Sequence, residues 1–262
     1  MARFKLTIEY AGTRYSGWQI QKNARTVQGE LAHAIQQAAG RREFELYGAG
    51  RTDAGVHALA QVAHLDVYTS LEAHTLCARI NERLPADIHV NDAAPVPHRF
   101  HARHDARSRS YLYQVSRRKS AFFKPYVWWV KEELDADAMR AAASAFVGLK
   151  PFDSFTADEP DEKSTKVLIE RVEIAEEGAL VLIRVIGSHF LWRMVRRMAG
   201  VLAGVGRGEL EIRDVAGLFG SKSAVPAALT APASGLFLEG VYYRPGDGPG
   251  PLHGPLRVPL AG

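Results

Sequence analysis

A single cysteine, Cys77, is all the chain contains, which excludes an internal disulfide and any zinc or iron–sulfur site built from several thiolates. One lone thiol also fits a reducing compartment, so the expected location is the cytoplasm. Long hydrophobic runs are missing too. No stretch approaches the roughly 18 apolar residues that a membrane-spanning helix requires. The opening Met1-Ala-Arg-Phe-Lys5 passes straight into alternating residues instead of a signal-peptide core. Neither membrane insertion nor secretion is expected. What is present is a globular inventory of 262 residues, 47% hydrophobic and 24% charged. That is enough for one large domain, or two ordinary ones sharing a core, and far from the composition of a disordered chain.

Charge of one sign is only slightly in excess, with 33 Lys and Arg against 29 Asp and Glu leaving +4. Its distribution says more than its size. Arg99, Arg103, Arg107, Arg109, Arg117, Arg118 and Lys119 fall in one stretch opposed only by Asp105, and Arg193, Arg196, Arg197 and Arg207 fall in another with no acid. Brought together, the two stretches would form a surface suited to a phosphate backbone. Left apart, they are two solvated faces.

Hydrophobic period organises the chain. Phe4, Leu6, Ile8 and Tyr10 alternate as a half-buried strand. Thr26 can cap a helix carrying Val27, Leu31, Ala34, Ile35 and Ala38, stopped by Gly40. Strands follow at Phe44–Tyr47 and Ala58–Val67, then a helix with Leu76, Ile80 and Leu84 ending at Pro85, then a strand from Ile88 to Val90. A comparable series starts near Arg103: a strand at Arg109–Ser116, a helix at Ala138–Val147, and strands at Val167–Ala175 and Leu180–Ile186. A long helix capped by Ser188, a short one at Ile212–Phe219 and a last strand at Gly235–Tyr243 complete it. Each half approximates the split β-α-β-β-α-β order of a ferredoxin-like unit, without a residue-level repeat. The expected division is residues 1–103, residues 104–245 and a Gly/Pro-rich tail over 246–262.

The second strand breaks at Gly48-Ala-Gly50-Arg51-Thr52-Asp53-Ala54-Gly55-Val56-His57. This is not a P-loop, which needs Gly-Lys-Ser/Thr opening a helix. Nor is it a dinucleotide turn, since Asp53 stands where the third glycine would be. What remains is a carboxylate on a tight loop, with Arg51 two residues before it and His57 four after. A neighbouring arginine keeps a carboxylate ionised, as a nucleophile or base requires. The alternative is a turn aspartate held by a surface ion pair.

The run Gly50-Arg-Thr-Asp-Ala-Gly-Val-His-Ala58 resembles the signature of the tRNA pseudouridine synthase A family. Other segments resemble that family in the same order: Tyr10-Ala-Gly-Thr-Arg-Tyr-Ser-Gly-Trp18-Gln19, Phe100-His-Ala-Arg103, Arg109-Ser-Tyr111-Leu-Tyr113, Phe152-Asp-Ser-Phe155, Phe190-Leu-Trp-Arg-Met194-Val195-Arg196 and Ala231-Pro-Ala-Ser-Gly235-Leu236. The resemblance runs from about Phe4 to Tyr243 and departs from the pattern at Lys166 and in the acidic stretch Asp158–Glu162.

The resemblance implies an α+β pseudouridine synthase fold, with a mixed, mainly antiparallel central sheet built from two ferredoxin-like halves around a cleft. It implies isomerisation of uridines at tRNA positions 38, 39 and 40, in the anticodon stem and loop, with no cofactor and no metal. Asp53 matches the essential aspartate, and three roles stay open for it: attack on the ribose, addition to the base, or removal of a ribose proton. Arg51 would pair with Asp53 and fill the space of an extracted nucleotide. Tyr111 matches the tyrosine that stacks on the target base, with Tyr113 as its competitor on the same strand face. Arg196 matches the basic residue that pairs with the aspartate, and Leu236 the apolar residue beneath the base. Arg193 and Arg197 are read as phosphate contacts or solvated side chains. The expected partners are the tRNA anticodon arm and a second copy of the chain, with no membrane.

Other readings have weaker support. Trp18, Trp128, Trp129 and Trp192 are expected in the core. His98, His101 and His104, spread around an extended segment, suit phosphate or structural roles better than a metal. A non-catalytic RNA-binding module would leave Asp53 as a turn residue. A glycosidase-like hydrolase would need a second carboxylate, and no comparable motif supplies one.

Overall fold

The structure is a computed structural model that describes residues 1–40, 43–157, 164–219 and 222–256. The chain divides into two compact units, one comprising Met1–Arg107 with Phe237–Gly248, the other Ser108–Leu236 with Pro249–Gly262. The acidic stretch Asp158–Glu162 lies outside the described residues.

The first unit runs β1 (Ala2–Tyr10), α1 (Val27–Ala39), β2 (Phe44–Gly48), β3 (His57–Val67), α2 (Ala73–Asn81) and β4 (Ile88–Pro95). Its strands stand in the order β4-β1-β3, with β2 paired to the far side of β3, all antiparallel. That is the ferredoxin-like arrangement expected from the sequence. In β1 the side chains of Phe4, Leu6, Ile8 and Tyr10 are buried while Lys5 and Thr7 between them are only half so, as a period of two dictates. α1 begins where the Thr26 hydroxyl accepts the Gly29 N–H at 3.2 Å and stops at Gly40, whose φ of 64° is left-handed. α2 ends at Asn81, short of the expected Pro85. The Asn81 side chain is taken by both backbone groups of Val90, at 2.8 and 2.9 Å, which turns the chain into β4.

The second unit contains β5 (Ser108–Ser116), β6 (Trp128–Trp129), α3 (Ala136–Ala143), β7 (Gly148–Pro151), β8 (Lys166–Glu177), β9 (Leu180–Gly187), α4 (Met194–Gly206), α5 (Ile212–Gly217) and α6 (Val225–Ala228). β5, β9, β8 and β7 pair antiparallel in that order, and β6 runs parallel to β5. β9 is buried along its whole length, which explains why it is apolar at every position but Arg184. α4 starts at Met194, five residues later than a Ser188 cap would place it. Ser188 instead donates its N–H to Leu168 at 3.0 Å, and Arg193 takes a left-handed φ of 61°, which a helix cannot pass through.

β10 (Leu236–Tyr242) closes the order. From Phe237 onward it belongs to the first unit, where Phe237 and Leu238 pair parallel with His57 and Ala58 of β3. The Phe237 ring stacks on His57 at 4.7 Å, and the Tyr243 hydroxyl donates to the Ala102 carbonyl at 2.7 Å. The architecture is therefore α+β with mixed, mainly antiparallel strand pairing.

Candidate active site

In the first unit, the loop between β2 and β3 is fixed by its backbone. Ala49 donates to Val62 at 2.7 Å, and the Gln61 amide donates to the Gly50 carbonyl at 3.0 Å. The segment after β1 clasps the other side. Trp18 N–H donates to the Thr52 carbonyl at 3.1 Å, Gly55 N–H to Tyr15 at 3.3 Å, and the Tyr10 and Thr52 hydroxyls share a hydrogen bond of 2.8 Å. Gly12 and Gly17 permit this closeness: a Cβ at Gly12 would fall 1.9 Å from the Val56 carbonyl oxygen, and one at Gly17 2.6 Å from that of Thr52. These contacts bind the segment after β1 to the Asp loop, so the two are held as one piece of the first unit.

Asp53 stands half-exposed on this anchored loop, between buried Thr52 and exposed Ala54. Arg51 is exposed and donates its Nε–H to Gln19 Oε1 at 3.1 Å. His57 is buried, and its Nδ1 accepts the Gly12 N–H at 3.0 Å, so this ring nitrogen carries no proton. The loop thus presents a carboxylate held without regular secondary structure beneath it, the preorganisation that a reacting group needs.

In the second unit, β5 separates its two tyrosines. Tyr113 is fully buried, with its hydroxyl donating to the Pro232 carbonyl at 2.7 Å, and burial drives its phenol well above the ordinary range. Tyr111 is half-buried, with its ring edge-on to Phe190 at 5.0 Å. Only Tyr111 keeps accessible ring surface. The segment ahead of β10 is tied to α4, since Arg196 Nε donates to the Ala231 carbonyl at 2.8 Å and Ala231 N–H returns to Arg196 at 3.1 Å. Tyr113, Arg196 and the approach to buried Leu236 therefore meet around residues 231–236.

Arg197 is half-buried, and part of its guanidinium is engaged by the backbone, donating to the Ser154 carbonyl at 3.1 Å and to that of Thr156. Burial, followed by the charge of Arg193, lowers its pKa from the usual arginine value. Arg109 donates to the Ser188 carbonyl at 2.6 Å, so parts of the two basic stretches do touch within this unit. Trp18 is buried as expected, but Trp129 and Trp192 are 41% and 47% exposed. His101 and His104 are not spread along an extended segment: a turn brings their rings to 4.2 Å, and His101 Nδ1 accepts the Arg103 N–H at 3.1 Å. Among the described residues no group of three or more His, Cys, Asp or Glu could hold a metal ion, and no helix is long and apolar enough to cross a membrane.

The family model described as tRNA pseudouridine synthase matches residues 6–105 and 142–244. Those segments include Asp53, Arg51, Arg196 and Leu236, while Tyr111 lies between them. The chain is 43% identical over 245 residues to tRNA pseudouridine synthase A of Pelobacter propionicus, covering 93% of this chain and all of the relative. It is 40% identical to the protein of that name from Citrifermentans bemidjiense, covering 93% and 98% of the two chains. With the protein of that name from Pseudothermotoga lettingae it shares 38% identity over 93% of this chain and all of the relative. The chain belongs to the tRNA pseudouridine synthase family.

Proposed function

We propose that this protein is an isomerase that converts uridines at tRNA positions 38, 39 and 40 to pseudouridine, acting on the anticodon arm as a cytoplasmic homodimer. The reaction breaks the bond between ribose C1′ and uracil N1, turns the base, and joins C1′ to C5. The C5 proton leaves and N1 regains one. Nothing is oxidised or reduced, so side chains alone can carry the chemistry.

The observation that carries this reading is Asp53: a carboxylate on a loop with neither P-loop nor dinucleotide geometry, anchored on both sides by backbone hydrogen bonds and left half-exposed. Asp53 is the catalytic residue in this proposal, by attack on the ribose, addition to the base, or removal of a ribose proton. Tyr111 stacks on the target base, because Tyr113 is committed to the interior. Arg51, exposed at the loop, occupies the space of the flipped nucleotide. Arg196 and Leu236 complete the substrate contacts.

The test is tritium release from tRNA transcripts labelled at uridine C5, with RNA binding followed in parallel. Wild type is expected to release tritium and Asp53→Asn to bind without release. Binding without release by wild type, across several tRNAs with uridines in the anticodon arm, would leave only the non-catalytic RNA-binding reading.

A further inference from the structure

Three unfavourable features meet at two adjacent residues. Trp192 leaves 47% of its surface in water, against the tendency of a large aromatic to be buried. Arg193 is the only non-glycine among the described residues with a left-handed backbone, at φ 61° and ψ 6°, where a side chain clashes with the following carbonyl. Its exposed guanidinium lies over the Trp192 ring at 4.9 Å. Arg193 also sets a positive charge close enough to Arg197 to depress that residue's pKa.

None of this is needed to start α4. A glycine or asparagine would take the same backbone at less cost, and an aliphatic residue would not hold an indole in solvent. Local rules are broken mostly where function compensates. A ligand with a flat apolar face and an adjoining anion would compensate all three features at once: it would cover the indole, neutralise the guanidinium, and offset the strain that aims it. A nucleotide within an RNA chain has that chemistry.

We propose that Trp192 and Arg193 form a nucleotide-binding step, Trp192 stacking on a base or ribose face of the RNA and Arg193 pairing with the neighbouring phosphate. This rests on the reading of the protein as a tRNA-modifying enzyme. In sequence the step lies among the candidate residues of the second unit. Phe190, two residues before it, packs on Tyr111, and Arg196 follows three residues after Arg193. It is a substrate-positioning element that contributes no group to bond breaking.

The test compares wild type, Trp192→Ala, Arg193→Gly and Arg193→Lys in RNA affinity, its salt dependence, turnover and melting temperature. Arg213→Ala, which removes an exposed cation paired with Glu211 at 2.7 Å, controls for net charge. Arg193→Gly is expected to weaken RNA binding about tenfold and to flatten the plot of log affinity against log salt by about 0.7–0.9, the contribution of one phosphate contact. Its melting temperature should not fall, because glycine accepts the left-handed backbone. Trp192→Ala should weaken binding about tenfold while keeping the salt slope, and Arg193→Lys should restore the slope. In turnover, KM should rise more than kcat falls. Affinities within twofold of wild type in both Trp192→Ala and Arg193→Gly would overturn the proposal, as would affinity losses that merely track lost stability. Wild type that binds RNA without tritium release would overturn the isomerase reading, yet the affinities would still decide the role of this step. Wild type that binds no RNA would overturn both.

Discussion

His64 shows how much a single side chain can say about this fold. It lies buried in β3, its Nδ1 accepting the Ala102 N–H at 3.1 Å, with its ring against Tyr47 at 5.2 Å and His101 at 4.7 Å. Burial first, then the charges of His101 and Arg3, pull its pKa down from 6.5 to about 4, outweighing Asp66 and Asp105. The folded protein therefore holds this imidazole neutral where the unfolded chain would already take up a proton. Stability from His64 is complete above the unfolded pKa and is lost as pH falls from 6.5 towards 4, by about 3 kcal/mol at most. His101, lowered by burial and by His104, acts in the same direction. Asp66, held low by its hydrogen bond to Arg3, acts in a separate window below 3.8. Melting temperature measured against pH should decline through the histidine window, and His64→Gln should remove most of that slope while leaving the acid limb. A flat wild-type profile between pH 6.5 and 4 would show that His64 carries no such linkage. None of this was visible in sequence, where His64 reads as one more residue of an apolar strand. Asp53 was legible as a candidate because its neighbours follow one another in a contiguous loop, whereas the exposure of Trp192 and the backbone of Arg193 run against the preferences on which sequence reasoning relies.

Elements were legible in proportion to how local their causes are. The helix α1 could be read end to end, because the Thr26 cap, the apolar stripe and Gly40 all lie within its own segment. β6 and β7 were missed, since two and four residues are too few to display a period. α4 was placed too early because a serine followed by a helical stripe is the usual start signal, and Arg193 overrides it with a backbone that side-chain type does not announce. The locality of α1 makes it testable. Thr26→Ala removes the acceptor of the Gly29 N–H and should cost about 1 kcal/mol, lowering the melting temperature by about 2–4 °C. Thr26→Ser should retain most of the stability and Thr26→Asp at least as much, since each keeps an oxygen at the cap. Equal losses in all three variants would mean that packing of the threonine methyl, rather than capping, fixes this end.

At the scale of the molecule, the least legible feature is where the chain goes after its last helix. Residues Phe237–Gly248 join the first unit, and the segment from Pro249 returns to the second. Both depend on partners far away in sequence, 66 residues or more for the contacts of the tail with Arg184 and Glu177 and 141 for Tyr243 with Ala102, so local pattern could not assign them. The returning tail, beyond residue 244 where the family match ends, has a definite task. Arg184, in the middle of β9 and 2% exposed, faces Glu173 at 3.2 Å and donates to the carbonyls of Gly250 at 3.0 Å and Pro251 at 3.3 Å. Gly254 N–H donates to Glu177 at 2.8 Å. A buried guanidinium needs its donors met, and a strand buried along its length has no water at hand to meet them. The tail carbonyls satisfy what Glu173 alone cannot. Removing residues 249–262 should therefore destabilise the protein by about 2–3 kcal/mol, read as an earlier unfolding midpoint in urea. The decisive measurement is the double-mutant cycle. In an Arg184→Met background the same truncation should cost much less, because the charge that required those carbonyls is gone. Additive losses would mean that the tail acts through its own packing and that Arg184 is served by Glu173 alone.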